Sequence, residues 1–129
     1  MDATAILDDL KTLYEGGKGR CGWYGDAGKE TVSWWARKSG NSPREVLDAI
    51  AVRLARGYLG CEYHWDFGDW IANKVLFTGM IDFELDGGPL EKPEPWWAVY
   101  LAFDDSEMSE NAVERARENL AGCHFEARP

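Results

Sequence analysis

The stretch from Ile81 to Phe103 determines the predicted fold class, and it reads IDFELDGGPLEKPEPWWAVYLAF. Its first part, residues 81–86, alternates between apolar and acidic side chains, which is typical of a strand with one buried face and one wet face. Its last part, residues 96–103, is an unbroken apolar run rich in aromatic residues. Such a run is typical of a central strand covered on both faces. The sequence therefore predicts two strands joined by a Gly- and Pro-rich connection.

Helical periodicity dominates the rest of the chain. The clearest helix follows Ser42, which can act as N-cap, with Pro43 at the first helical position and Glu45 placed to complete a capping box. Further helices are predicted over residues 2–15, over residues 28–38, from near Asp66 to Gly79, and over residues 107–121. The last of these places an inward stripe at Met108, Ala112, Val113, Ala116 and Leu120. We therefore predict an α+β fold in which about five helices pack on a small antiparallel sheet, as one domain over residues 1–129.

A glycine-rich segment separates the first two predicted helices. Residues 16–28 hold six glycines, a composition that favours a long loop. The segment ends in Gly28-Lys29, which briefly resembles a phosphate-binding loop. That motif needs a glycine five positions before the Gly-Lys pair and Ser or Thr after the lysine, where this chain has Trp23 and Glu30. We therefore predict a surface loop that binds no nucleotide.

Negative charge is concentrated in the second half of the chain. The formal charge is -9, from 23 Asp and Glu against 14 Lys and Arg. Residues 1–60 hold nine basic and eight acidic residues, a net of +1, whereas residues 61–129 hold five and fifteen, a net of -10. This field repels nucleic-acid phosphates and anionic lipid and attracts a basic partner. We therefore expect a protein-binding function, with neither nucleic acid nor membrane as a partner.

The hydropathy pattern and the N-terminus favour a cytoplasmic protein. No apolar run approaches the roughly 20 residues that are needed to cross a bilayer. The N-terminal residues Met1, Asp2, Ala3 and Thr4 lack the basic region with which a secretory signal peptide begins. We therefore expect the protein in the cytoplasm.

Three widely spaced cysteines, Cys21, Cys61 and Cys123, form an odd set that cannot close a disulfide framework. We expect reduced thiols. A zinc site joining Cys61 and His64 to Cys123 and His124 is an alternative, because thiolate and imidazole are good zinc ligands. However, two adjacent ligands in an extended segment point in diverging directions. We therefore expect neither a metal nor another cofactor.

The candidates for catalysis are few. His64 stands two residues before Asp66 and could act as a general base oriented by that carboxylate. Asp66 and Asp69 could bind a hard cation, but a D-x-x-D pair ahead of an apolar helix is more simply explained by helix capping. An enzyme site needs a nucleophile with a base, a metal set or a carboxylate pair with split pKa values. We predict no enzymatic activity.

The carboxylates of the second half define the predicted partner surface. The alternation over residues 81–86 would place three of them on one strand face, and three glutamates recur at every fourth position of the last predicted helix. A solvated face is the alternative interpretation of such charge runs. The predicted surface consists of Asp82, Glu84, Asp86, Glu91, Glu94, Asp104, Asp105, Glu110, Glu114 and Glu118.

Two segments carry a resemblance to a known class of proteins. They are DFGDWIANKVLF, from Asp66 to Phe77, and PWWAVYLAFDDSE, from Pro95 to Glu107. Both resemble small acidic immunity proteins encoded beside bacterial polymorphic toxins, including those of contact-dependent inhibition and type VI secretion systems. The resemblance implies a cytoplasmic protein that tightly binds one toxin domain and blocks it. It further implies a toxin that acts in the cytoplasm on nucleic acids or nucleotides.

Two alternatives remain at the level of the sequence. A phage-encoded nucleic-acid mimic, of the anti-CRISPR or anti-restriction type, would also present carboxylates spaced like phosphates. A small enzyme or a zinc-binding protein belongs to a different class. A toxin gene directly upstream would favour the immunity protein, phage structural genes would favour the mimic, and bound metal would favour the zinc protein.

Overall fold

The structure, a computed structural model, describes residues 2–16 and 28–123, and all the regular secondary structure in these residues is helical. Seven α-helices and one π-helical segment make up this part of the chain, and no strand occurs in it. In chain order they are α1 (Ala3–Glu15), α2 (Gly28–Ser39), α3 (Pro43–Leu59), α4 (Trp65–Ile71), the π-helical segment (Ala72–Leu76), α5 (Thr78–Ile81), α6 (Pro95–Ser106) and α7 (Ala112–Ala121). The predicted α+β fold with an antiparallel sheet is therefore wrong.

The central helix is α3, and its predicted start is confirmed. The Ser42 hydroxyl accepts a hydrogen bond from the Glu45 backbone N–H at 3.2 Å, and the Glu45 carboxylate accepts one from the Ser42 backbone N–H at 2.8 Å. These two bonds satisfy amide groups that a helix start leaves without intrahelical partners. Helices α1, α2, α6 and α7 all pack against α3. Its fully buried side chains therefore form the middle of the core.

The apolar run that was predicted to be a central strand lies within α6. Pro95 occupies the first turn, where its fixed backbone angle favours a helix and its missing N–H costs nothing. Trp96, Val99 and Phe103 are fully buried, whereas Trp97 and Tyr100 are half-buried. This burial follows the helical period, with one face turned to the core. An apolar helix is stable here because α6 packs against α3, α7 and the π-helical segment.

The alternating stretch at 81–86 does not form a strand either. Ile81 is the last residue of α5 and its side chain is 61% exposed, so the predicted buried face is not formed. The Phe83 and Leu85 backbone N–H groups donate to the Thr78 and Gly79 carbonyls, which folds the chain back onto α5. Glu84 has a φ of 51°, a left-handed conformation that interrupts any extended run. The alternation therefore belongs to an irregular segment.

The last helix is shorter than the sequence predicted. Helix α7 begins at Ala112, where the Asn111 side chain accepts a hydrogen bond from the Glu114 backbone N–H, and not at residue 107. Met108 is 88% exposed and Val113 is 50% exposed, so neither lies on the predicted inward stripe. Ala116 and Leu120 are buried as predicted, and Ala112 is half-buried. Glu110 precedes the helix, so the predicted column of three helical glutamates is reduced to Glu114 and Glu118.

Helices α4 and α6 cross at close range. At Gly68 on α4, an added Cβ would lie 2.5 Å from the Phe103 ring of α6, so only glycine allows the two helices this approach. The chain then continues from α4 into the π-helical segment, a rare form that is frequent at functional sites. The crossing brings the polar edge of α4 to the C-terminal end of α6.

Two predictions fall partly or wholly outside the described residues. Gly16 ends α1, but the remainder of the predicted glycine-rich loop, up to residue 27, lies outside them. His124 of the alternative zinc set also lies outside. Within the described residues, no helix has both the length and the apolar character needed to cross a membrane.

Candidate protein-binding surface

Several of the predicted partner-binding carboxylates also have structural roles. Glu94 forms an ion pair with Arg44 of α3 at 2.9 Å. The Asp86 carboxylate accepts a hydrogen bond from the Gly88 backbone N–H at 3.0 Å. Asp105 pairs with Arg115 of α7 at 2.7 Å, an interaction that lowers the pKa of the Asp105 carboxyl.

The exposed members of the predicted surface are spread over several elements. Glu84 and Glu91 lie in the segment between α5 and α6, and Asp104 lies on the last turn of α6. Asp82, Glu84 and Asp86 do not share a strand face, because that strand is not formed. The three carboxylates are therefore not grouped as predicted, and their contact with a partner stays a prediction. Four further members of the predicted surface are also exposed, namely Asp105, Glu110, Glu114 and Glu118.

Carboxylates converge instead where α4 meets the end of α6. Asp69 of α4 is the centre of this group. Glu107, Asp104 and Asp66 all act electrostatically on the Asp69 carboxyl and raise its pKa, after the larger effect of burial. Of these residues, the predicted surface contained only Asp104. The sequence signal for Asp66 and Asp69 was their D-x-x-D spacing, which we attributed to helix capping. The N-cap of α4 is His64, so the capping role predicted for Asp66 is wrong.

After burial, the interaction with Glu107 is the largest influence that raises the pKa of the Asp69 carboxyl. The Asn73 side-chain amide donates to the Glu107 carboxylate at 2.8 Å and to the Asp69 backbone carbonyl at 3.0 Å. The Oδ1 atom of Asp69 is buried and has no hydrogen-bond partner. A buried acceptor without a donor is poorly stabilised when ionised, so these surroundings favour the protonated form of Asp69.

The pKa values of the two carboxyl groups shift in opposite directions. Burial, followed by the interaction with Glu107, raises the pKa of Asp69 to about 8. The interaction with Asp69 is the largest influence on Glu107 and lowers the pKa of its carboxyl, and the Asn73 amide lowers it further. Glu107 is also the more exposed side chain, and water favours its ionised form. Near neutral pH these shifts favour a protonated Asp69 beside an ionised Glu107.

Three half-buried aromatic rings lie beside these carboxylates. The ring of Tyr100 stacks on Phe77 and on Trp97, with centroid distances of 5.0 Å in both cases. The Tyr100 hydroxyl donates a long hydrogen bond of 3.4 Å to Asp104, which connects the rings to the acidic group. Burial and then the Asp104 charge raise the pKa of the Tyr100 phenol, and Glu107 and Asp69 contribute further. We call these seven residues the acidic-aromatic surface: Asp66, Asp69, Phe77, Trp97, Tyr100, Asp104 and Glu107.

A neighbouring open groove of about 470 Å³, which shares Asp66 with the acidic-aromatic surface, contains the residues that the sequence suggested for catalysis. Its lining includes Cys61, His64 and Asp66, but in the described structure no side-chain hydrogen bond connects these three residues. Arg117, the cation of the lining, lies over the Tyr58 ring at 5.4 Å and donates to a backbone carbonyl. The groove therefore brings the candidate residues near one another without arranging a base and its orienting carboxylate.

The residues of the alternative zinc set are only partly described. Cys61 is exposed at the end of α3, whereas Cys123 is half-buried after α7 and its thiol donates to the Asn119 carbonyl at 3.3 Å. Burial raises the pKa of the Cys123 thiol, which disfavours the thiolate that a metal needs. Over residues 2–16 and 28–123, no group of three or more His, Cys, Asp or Glu side chains could hold a metal ion.

Comparisons with known proteins give no match to a protein family, to a curated protein or to a solved structure. The resemblance of Asp66–Phe77 and Pro95–Glu107 to immunity proteins therefore stays a prediction. Both segments contribute residues to the acidic-aromatic surface.

Proposed function

We propose that this protein is a cytoplasmic immunity protein, which binds a basic toxin domain and blocks it through the acidic-aromatic surface. The observation that carries the proposal is the convergence of four acidic residues and three stacked rings where α4 crosses α6. The surface lies in the half of the chain that holds ten surplus negative charges.

The charge of this surface suits a basic protein partner. Carboxylates that lie close together repel one another, and an incoming Lys or Arg relieves that repulsion. A negative field also accelerates encounter with a basic partner and slows encounter with nucleic acid. Asp105, Glu114 and Glu118 lie beyond the surface on α6 and α7 and would extend this field at its rim.

The aromatic rings suit the same partner. Half-buried aromatic side chains are frequent anchors of protein interfaces, because they bury a large area at a small entropic cost. An arginine can stack on an exposed ring while its guanidinium pairs with a carboxylate. Tyr100 stacks between Phe77 and Trp97 and contacts Asp104, so it connects the two outer rings of the stack to a carboxylate. The ring stack is held by α6, so it needs little rearrangement on binding.

The test is association with the product of the neighbouring gene, measured for two matched charge reversals. One variant combines Asp66→Lys with Asp104→Lys within the surface. Its control combines Glu84→Lys with Glu91→Lys, which are exposed and lie in the segment between α5 and α6. Both double variants change the net charge by the same amount, so long-range effects of total charge are equal.

We expect the surface variant to associate at least about tenfold more slowly than wild type at about 0.01 M salt, and the control to change by no more than about threefold. The difference should shrink at about 0.15 M, where the Debye length falls to about 8 Å. Equal slowing of both variants, or no slowing of either, would show that the acidic-aromatic surface is not the binding site. Protection of cells expressing the toxin should fall only for the surface variant.

A further inference from the structure

We infer that the basic partner presents an amphipathic helix, and that this helix docks on an exposed apolar strip that includes the stacked rings. The inference rests on the proposed function and names the part of the partner that the surface receives. The apolar strip runs from the turn of α5 to the outer face of α6, and its members are Phe77, Met80, Ile81, Trp97 and Tyr100.

One side of the apolar strip is a single helical turn. The backbone N–H groups of Met80 and Ile81 donate to the Phe77 carbonyl at 3.1 and 3.3 Å, so the three residues belong to one turn. Side chains three and four positions apart in a helix are neighbours on its surface. Thr78 and Gly79 of the same turn are buried, whereas Met80 is 39% and Ile81 is 61% exposed. The turn therefore presents an apolar face to solvent.

The other side of the apolar strip is the outer face of α6. The rings of Trp97 and Tyr100 stack at 5.0 Å, and Tyr100 in turn stacks on Phe77 at 5.0 Å. The Trp97 ring packs on Gly87, where an added Cβ would lie 2.4 Å from it. Scattered apolar side chains are normal on a protein surface, but contiguous ones mark interaction sites. The ring stack joins the two sides, so the apolar strip is one contiguous patch.

Carboxylates border the apolar strip on both sides. On the α5 side, Asp82 directly follows Ile81, and Glu84 is exposed two residues later. On the α6 side, the Tyr100 hydroxyl donates to Asp104 at 3.4 Å. A second copy of the chain would bring its own formal charge of -9 to these carboxylates, so charge opposes self-association. The occupant that fits is apolar along its middle and carries Lys or Arg at its flanks.

A helix suits the apolar strip better than an extended peptide does. Addition of a strand needs an exposed sheet edge, and residues 2–16 and 28–123 form no sheet. A helix that docks on an apolar face buries side chains at positions i, i+3, i+4 and i+7. Asp104 follows Trp97 by about 10 Å along α6. A partner helix of about two turns therefore reaches from the rings to the carboxylate.

The first arm of the experiment uses a peptide of about 15 residues, in which Leu and Lys are placed so that one helical face is apolar and the other is basic. One control peptide has Glu in place of Lys, and another has the same composition in an order that forms no apolar face. Calorimetry at about 0.15 M salt should show binding of the first peptide alone. Equal binding of either control peptide would overturn the inference.

The second arm tests the apolar strip itself with Ile81→Gln. This variant should bind the peptide about tenfold more weakly, because an apolar contact is replaced by an amide. Ile81 is 61% exposed, so the fold should be kept. The matched control is Val113→Gln on α7, another β-branched side chain, which is 50% exposed; its affinity should change by less than about twofold. Unchanged affinity in Ile81→Gln, or equal losses in both variants, would overturn the inference.

Methyl NMR of the isoleucine side chains locates the bound peptide. The signal that is missing from Ile81→Gln belongs to Ile81, and it should shift when the peptide is added. Ile6, Ile50 and Ile71 are buried, so their signals should stay in place. An unshifted Ile81 signal would contradict docking on the apolar strip. A wild-type dimer that Ile81→Gln dissociates in sedimentation would also overturn the inference, because a second copy would then cover the strip.

The outcomes separate this inference from the proposed function. If the peptide binds at Ile81 as expected but the neighbouring gene product does not bind, the docking mode stands and the immunity function fails. If the neighbouring gene product binds and Ile81→Gln leaves its affinity unchanged, the inference is overturned. The proposed function is then still supported if the variant with Asp66→Lys and Asp104→Lys associates slowly.

Discussion

At the scale of single residues, Asp69 sets the pH dependence of stability that we expect. Its pKa rises from 3.8 to about 8 on folding, so the folded protein holds a proton that the unfolded chain loses. The resulting stabilisation is complete below the unfolded pKa and is lost as pH rises through about 8. The lowered pKa of Glu107 acts in the opposite direction, but only in more acidic solution.

Asp69→Asn should therefore flatten this dependence. Between about pH 5.5 and about pH 9 we expect wild type to lose about 1–2 kcal/mol more than the variant, less than the full pKa shift implies because the site is only half-buried. Urea unfolding at the two pH values measures this difference. Equal losses in both proteins would show that Asp69 is ionised throughout. Asp105→Asn is the control and should follow wild type over this range.

At the scale of the element, the end of α3 carries a strained residue. Cys61 has a φ of 64°, and the following Glu62 backbone N–H donates to the Gly57 carbonyl at 2.7 Å, the pattern in which a helix usually ends on glycine. Cys61→Gly should therefore stabilise the protein by about 0.5 kcal/mol, because relief of strain exceeds the entropy that glycine adds to the unfolded chain.

The matched control for this element is Cys61→Ala, which removes the thiol and keeps the strained backbone. Chemical denaturation should show a gain for the glycine variant and none for the alanine variant. If alanine stabilised the protein as much as glycine does, the thiol and not the backbone would be the source of the strain.

At the scale of the whole molecule, one core connects the described helices apart from the one-turn α5. The core residues of α3 pack against α1, α2, α6 and α7, and Leu54 is fully buried among them. Leu54→Ala should reduce the free energy of unfolding by about 2–5 kcal/mol. The loss should be global, so circular dichroism and tryptophan fluorescence should report the same shifted transition.

Leu90→Ala provides the control for this prediction, since the same substitution is made at a side chain that is 88% exposed. It should change stability by less than about 0.5 kcal/mol. Transitions that separate between the two probes in Leu54→Ala would contradict a single cooperative core.

The sequence by itself determined the helices whose signals are local. The capping box at Ser42 and Glu45 acts within a few residues, and so does the apolar periodicity of the first two helices. Helices α1, α2 and α3 therefore lie almost where they were predicted. The charge asymmetry is also fixed by composition alone. These features need no knowledge of what packs against them.

Only the tertiary structure decided the state of residues 81–103 and the composition of the acidic-aromatic surface. A short apolar run satisfies a buried strand and a buried helix equally well, and the packing of α3, α7 and the π-helical segment around Trp96 and Phe103 selects the helix. Asp69 and Glu107 are far apart in sequence, so no spacing could reveal their pairing. They lie together because Gly68 lets α4 approach α6, which buries the Asp69 carboxyl near Glu107.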